Sequence, residues 1–280
     1  MSKITLTALA QTLPSTVPFV GPETQERALG GKFKARLGAN ESLFGPSPKA
    51  ILAMEQAAAD IWQYGDPENY DLRNALALHH DIDPAHIIIG EGIDGLLSYL
   101  VRLLVDPGTP IVTSHGAYPT FNFHAVGYGG VLHTVPYKND HEDPQALITK
   151  VSEVGAKLVY FANPDNPMGT WHSAKTVQDL MDNIPQEALL VLDEAYVEMA
   201  PKGTAPPLNP ETENVIRMRT FSKAYGMAGA RVGYAIGPKE LIKSFDKVRN
   251  HFGVSRISQI GALAALADSE HFANVQKKIS

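Results

Sequence analysis

Six short, largely apolar runs set the strongest constraint on how this chain can fold, and the residues just beyond each run matter as much as the run itself. Ile87 to Ile89, Ile111 to Thr113, Lys157 to Phe161, Ala188 to Leu192, Val215 to Met218 and Arg231 to Ile236 each have the length of a strand. The fourth contains no polar residue, as expected of a strand covered on both faces in a parallel sheet. Segments with helical spacing lie among these runs. Ile93, Leu96, Leu97, Leu100, Val101 and Leu104 form one apolar stripe, and Ala174 to Asn183 reads as another helix. Upstream, Pro48 to Ile61 is predicted helical, with Ser47 placed to cap it and Pro48 in its first turn. Leu72 to His80 is predicted helical as well. This alternation predicts a three-layer α/β/α fold with a mostly parallel central sheet. The first forty residues read as irregular, because Pro14, Pro18, Gly21, Pro22, Gly30 and Gly31 interrupt any period.

Chemically capable residues sit just past the carboxyl ends of these runs. In chain order they are Gly92-Ile93-Asp94, Tyr118, Asn166, Asp193 and Ser222-Lys223. Open α/β sheets bind ligands at that edge. Five strand ends are therefore expected to converge on one crevice.

Composition removes several classes of function. With 24 Lys and Arg against 30 Asp and Glu, and no basic run, nothing suits a phosphate backbone, so no nucleic-acid partner is expected. The absence of cysteine excludes disulfides, thiolate metal sites and cysteine nucleophiles. The ten histidines show no ligand spacing, and no metal site is predicted. No stretch is long and apolar enough to span a bilayer. Met1 to Val20 lacks a basic start and an unbroken apolar stretch. It reads as an arm and not a signal peptide, which makes the cytoplasm the expected location.

Three segments carry the densest signal. They are Asn163-Pro164-Asp165-Asn166-Pro167-Met168-Gly169, Val191-Leu192-Asp193-Glu194-Ala195-Tyr196, and Arg219 to Tyr234 with Ser222-Lys223 near its start. Together, in this order and at these separations, they resemble the aminotransferases of the fold-type-I pyridoxal-phosphate superfamily (class I/II), with histidinol-phosphate aminotransferases nearest. The resemblance runs from about Leu37 to about Ile260. It implies pyridoxal 5′-phosphate as cofactor, with Lys223 joined covalently to its aldehyde and later moving a proton. Asp193, following a wholly apolar strand, would favour the charged form of the cofactor's ring nitrogen. A helix cap or a metal ligand are the other readings of such an aspartate. Glu194 reads as structural. Asn166 and Tyr196 would serve the ring's phenolic oxygen. Tyr118 would stack on the ring, with Phe121 as the competing register. Gly92, Ile93 and Asp94 open a helix whose free N–H groups would take the phosphate, helped by Ser222 and Arg231. Tyr64 resembles the tyrosine that reaches this phosphate from a neighbouring subunit, which implies a homodimer. Asn40 and Glu41 resemble the segment that borders the substrate pocket. Met168 stands where the family usually has Thr.

The resemblance also implies organisation and reaction. Residues 1–39 would be an N-terminal arm with part of a small domain, 40–262 the large cofactor-binding domain, and 263–280 the start of a small domain that relatives continue well beyond. That continuation carries the family's substrate-carboxylate arginine, so the complete enzyme's small domain is expected to be largely missing here. The implied activity passes an amino group from an amino acid or a histidinol-phosphate-like amine to a 2-oxo acid such as 2-oxoglutarate, in amino-acid biosynthesis. The alternatives are a decarboxylase or lyase on the same scaffold, and an inactive cofactor-binding remnant.

Overall fold

The computed structural model describes residues 4–15 and 19–279, so Pro18 lies outside the described residues. Seven strands form one mixed sheet: β1 (Ile87–Gly90), β2 (Pro110–Ser114), β3 (Val131–Val135), β4 (Leu158–Ala162), β5 (Leu189–Asp193), β6 (Val215–Thr220) and β7 (Gly233–Ile236). Their order is β1-β7-β6-β5-β4-β2-β3. Only β7 runs against the rest, paired antiparallel with both β6 and β1. The carboxyl ends of the other six strands therefore share one edge, and β7 begins at that edge. The helices are α1 (Ala8–Thr12), α2 (Pro22–Leu29), α3 (Pro48–Ala57), α4 (Tyr70–His80), α5 (Gly92–Leu104), α6 (Pro119–Gly127), α7 (Pro144–Val154), α8 (Ala174–Asn183), α9 (Lys239–Ser244), α10 (Arg256–Ala267) and α11 (Ser269–Ile279).

The period-2 alternation of the strands divides the core between two faces. On β5, Leu189 and Val191 join Leu96, Leu100, Phe121 and Ala125 of α5 and α6. Leu190 and Leu192 turn the other way, toward Leu147, Val151, Val177 and Leu180 of α7 and α8. A further cluster packs α3, α4 and α10 over β1 and β7, through Leu72, Leu76, Ala262, Ile89 and Tyr234. Burial on both faces explains why β5 lacks any polar position until Asp193. Truncating a side chain such as Leu190 to Ala would cost about 2–5 kcal/mol through lost transfer energy and the cavity left behind.

The differences from the sequence reading have local causes. The first forty residues are not wholly irregular, because α2 forms there. Two residues read as breakers delimit it: Pro22 occupies its first turn and Gly30 ends it at φ 72°. β3 has no counterpart in the sequence reading. As an edge strand it leaves Val131 46% exposed, so it carries no apolar run. The last strand starts at Gly233 and not at Arg231, because Arg231 adopts a left-handed φ of 52°. The position between 262 and 263 lies inside α10. Among the described residues, no helix is long and apolar enough to cross a membrane.

Candidate active site

One cavity of about 390 Å³ opens at the shared strand edge. Ile93, Asp94, Tyr118, Asn166, Asp193, Tyr196, Ser222, Lys223 and Arg231 all line it. Five loops that the sequence placed after five strands thus meet at one point. Gly92 sits at its rim beside Arg231. Tyr64 does not reach it: the ring is 75% exposed and stacks on Phe252 at 4.5 Å, beside a separate depression. Phe121 is fully buried and stacks on Tyr160 at 4.8 Å, so of the two competing aromatics only Tyr118 faces the cavity. Met168 is exposed and lies outside the lining.

Asp193 ends β5 at the cavity floor. Its Oδ1 accepts from the Ala195 amide at 2.9 Å and its Oδ2 from the Tyr160 hydroxyl at 2.7 Å. Among the described residues it has no ion-pair partner, and burial pushes its pKa up to about 6. Two hydrogen bonds hold the carboxylate still, and only the more distant Lys223 offsets its charge. Tyr160 is a site residue that the motifs did not single out. The signal was available: Tyr160 lies opposite Val191, so Asp193 is its diagonal neighbour on the same face.

Lys223 enters from the loop after β6. Its Nζ donates to the carbonyls of Ala39 at 3.1 Å and Asn40 at 3.2 Å, and lies 5.3 Å from the Tyr196 ring centroid. Burial lowers its pKa, partly opposed by Asp193. The loop is held by a close contact. Gly226 has φ 67°, and a Cβ there would collide with the Gly45 carbonyl oxygen, so no larger residue fits. Opposite, Asn40 Nδ2 donates to Tyr196 Oη at 3.1 Å and to Asn166 Oδ1 at 3.5 Å. Asn40 thereby joins the two residues expected to serve one phenolic oxygen. Glu41 lines the cavity too, but is tied to Arg36 at 2.7 Å.

The other end of the cavity is built to hold an anion. The N-cap residue of α5, Glu91, makes no side-chain cap bond, as is also the case at α2, α4, α6 and α9. The Glu91 carboxylate is drawn off to the Tyr99 hydroxyl at 2.8 Å. The first N–H groups of α5 are left open, at the positive end of the helix dipole. Arg231 stands beside them. Its guanidinium donates to Ala228 O at 2.9 Å, Ser222 Oγ at 3.3 Å and Glu91 O at 3.4 Å. Among the described residues it pairs with no carboxylate. Gly92 has φ 77°, a conformation that favours glycine, and it lies against the Arg231 guanidinium. Gly233 lets the same turn approach the sheet, because a Cβ there would meet the Gly92 carbonyl carbon at 2.8 Å.

Behind the floor the polarity is arranged differently. Glu194 is fully buried and pairs with Arg217 at 2.5 Å and Arg219 at 2.9 Å. Its pKa is lowered by the two guanidiniums despite its burial. The structural reading of Glu194 fits this arrangement. Glu142 fills a gap between β2 and β4, which pair only at Ile111 and Val112. It accepts from Ser114 Oγ at 2.6 Å and the Ala162 amide at 2.8 Å, and burial raises its pKa to about 8. Neither the sequence motifs nor the spacing pointed to it.

Comparisons with known proteins agree with this geometry. The family model for aminotransferase class I and II matches residues 33–279. A histidinol-phosphate aminotransferase from Anaeromyxobacter sp. (strain Fw109-5) is 39% identical over 263 residues, covering 92% of this chain and 71% of the relative. The crystal structure of histidinol-phosphate aminotransferase from Sinorhizobium meliloti, solved with pyridoxal-5′-phosphate, is 55% identical, with a TM-score of 0.94 over 98% of this chain and 74% of that one. L-threonine-O-3-phosphate decarboxylase from Porphyromonas gingivalis shares the fold, with a TM-score of 0.70 over 82% of this chain and 73% of that one, at 19% identity.

Proposed function

Because the chain belongs to the class I and II aminotransferase family, we propose that it binds pyridoxal 5′-phosphate in the cavity and transfers an amino group from a histidinol-phosphate-like amine to a 2-oxo acid such as 2-oxoglutarate. The observation that carries the reading is a pair of unmatched charges at opposite ends of one cavity, with an amine between them. Among the described residues Asp193 and Arg231 form no ion pair, and Lys223, which lies near Asp193, has a lowered pKa. A group with a basic ring nitrogen at one end, a phosphate at the other and an aldehyde in the middle matches all three. The residues present therefore fit the cofactor that the Sinorhizobium meliloti structure contains.

When bound, pyridoxal phosphate supplies an electron sink for the pair left as a substrate Cα bond breaks. The protein residues do the rest. The open N–H groups of Gly92, Ile93 and Asp94, with Ser222 and Arg231, hold the phosphate. Asp193 keeps the ring nitrogen protonated, because an ionised buried carboxylate stabilises the adjacent cation. Asn166 and Tyr196 orient the phenolic oxygen, and Tyr118 covers one ring face. Lys223 is the amine that would hold the aldehyde, and once released it would move the proton at the substrate Cα. Lowering the Lys223 pKa favours the neutral amine that this task needs. Asn40 borders the substrate side. Tyr64, unable to reach its own cavity, suits a role in the neighbouring site of a homodimer. Residues 40–262 would form the cofactor-binding domain, with the arm 1–39 and the segment from 263 onward contributing to a smaller one.

A lyase or decarboxylase is not favoured, since the decarboxylase likeness extends to the fold alone while two histidinol-phosphate aminotransferases share 39% and 55% of the sequence. The test is direct. Protein loaded with the cofactor, reduced with borohydride and digested should carry one label, on Lys223. A label elsewhere, or none, removes the proposal. Added to loaded protein that has not been reduced, histidinol phosphate should shift the cofactor's absorbance to that of the amine form without release of carbon dioxide.

A further inference from the structure

The cavity's anion end contains a carboxylate that should oppose its use. Asp94 sits in the first turn of α5, among the N–H groups left open for a phosphate, and its side chain is half exposed to the cavity. An acidic residue in a helix's first turn is stabilising while that end is empty, but it repels a dianion placed there. The structure contains a second contact that bears on this conflict. His124, on α6, lies with its Nε2 2.6 Å from Asp94 Oδ1, and the imidazole is largely buried. Because Asp94 can only accept when ionised, the N–H of His124 donates. This bond is the first cause of the lowered Asp94 pKa, followed by burial acting against it. Asp94 is thus an anion tied to α6 through the His124 imidazole.

Resting on the reading of the cavity as a cofactor site, we propose that His124 is a positioning residue for the cofactor phosphate, acting by holding the Asp94 carboxylate aside. Arg231 and Asp94 then present the phosphate with a strong positive charge and a negative charge turned away. Without the imidazole donor, the carboxylate is free to swing over the N–H groups, where it competes for them and repels the phosphate. The effect is electrostatic and partly solvent-exposed, so salt should shrink it.

The experiment compares pyridoxal phosphate with pyridoxal, which keeps the aldehyde and lacks the phosphate. Binding to the full chain is followed by absorbance, at low and high salt, for wild type, His124→Phe, Asp94→Asn and the double variant. His124→Phe keeps a ring and removes the donor. It should weaken pyridoxal phosphate on the order of ten-fold at low salt and less at high salt, with pyridoxal unchanged. Asp94→Asn should bind pyridoxal phosphate at least as tightly as wild type, and adding it to His124→Phe should restore the affinity. The proposal is overturned if His124→Phe binds pyridoxal phosphate normally, if it loses both compounds in proportion, or if Asp94→Asn restores nothing. Asp94→Asn alone tests the same point should His124→Phe fold poorly, since a loss of affinity in that variant contradicts the repulsion. If wild type takes up neither compound, the cofactor reading itself fails instead.

Discussion

Asp193 and Glu194 are adjacent in sequence, equally buried, and opposite in electrostatic design. Glu194 faces the far side of the sheet edge, where Arg217 and Arg219 match its charge and keep its pKa low. Asp193 faces the cavity, where burial outweighs its hydrogen bonds and the nearby Lys223 and raises its pKa to about 6. The same division runs through the surrounding elements. Behind the floor, Glu194 is paired within the chain, while Glu142 is met by neutral donors. At the cavity, the Asp193 carboxylate and the Arg231 guanidinium are each held by hydrogen bonds and, among the described residues, form no ion pair, while the first N–H groups of α5 stay open. An internally matched charge serves the fold. A rigidly held, unmatched charge costs stability and is explained by a ligand that completes it.

Glu194 provides the largest expected effect. Glu194→Gln leaves the buried Arg217 guanidinium without its anion, which should cost about 3–5 kcal/mol of stability. Denaturant unfolding of the cofactor-free protein measures it. A loss of less than about 1 kcal/mol, the worth of an ordinary exposed pair, would show that the two carboxylates are not opposites after all.

Asp193 should respond in the reverse sense. Asp193→Asn should lower the turnover of the loaded enzyme by about 100-fold or more, through loss of the anion that keeps the ring nitrogen protonated. The cofactor-free protein should not be weakened at neutral pH. The sign follows from the raised pKa. Below the ordinary value of 3.8 the carboxyl is neutral in both folded and unfolded chains. Between there and about 6 the folded chain holds the extra proton, so wild type loses stability as pH rises through that window. Asp193→Asn does not titrate, and above about pH 6 it should be the more stable by roughly 3 kcal/mol. Parallel thermal melts from about pH 4 to about pH 8 decide this. Curves that stay parallel would mean that the carboxylate is matched by something other than a ligand. Arg231→Gln, smaller again, should weaken cofactor affinity by about 10-fold to 100-fold while leaving the melting temperature nearly unchanged.

The sequence was legible wherever one residue's position follows from strand order alone. The buried run of β5 fixed Asp193 at the sheet edge, and the shared direction of β1, β2, β4, β5 and β6 brought Gly92, Tyr118, Asn166, Asp193 and Lys223 to one edge. It was illegible where the determinant is a distant contact. Glu142 matters because β2 and β4 separate beyond Val112, which no local pattern reports. His124 reaches Asp94 across thirty positions, through the packing of α6 on α5. The helix α2 was missed for a different reason: proline and glycine terminate helices as readily as they interrupt them, and Pro22 and Gly30 stand at its two ends. Spacing alone could not distinguish the two uses.

Tyr160 offers the smallest effect and the finest test of the contrast. Its hydroxyl is the one side-chain donor on Asp193 among the described residues, and it lowers a pKa that burial raises. If the carboxylate is held by hydrogen bonds while awaiting a cation, removing this donor should leave the fold intact and shift the balance further toward the neutral acid. Tyr160→Phe keeps the ring that stacks on Phe121, so packing changes little. In the cofactor-free protein the pH at which stability stops falling should move upward from about 6, because the folded-state pKa rises while the unfolded one stays put. In the loaded enzyme the cation on the ring nitrogen opposes that shift, so turnover should fall by only about three-fold to ten-fold. A melt profile that does not move would mean that the hydroxyl contributes nothing to Asp193, and that burial alone sets its proton affinity. A fall in turnover as large as that of Asp193→Asn would instead make Tyr160 an essential part of the charge that the cavity presents.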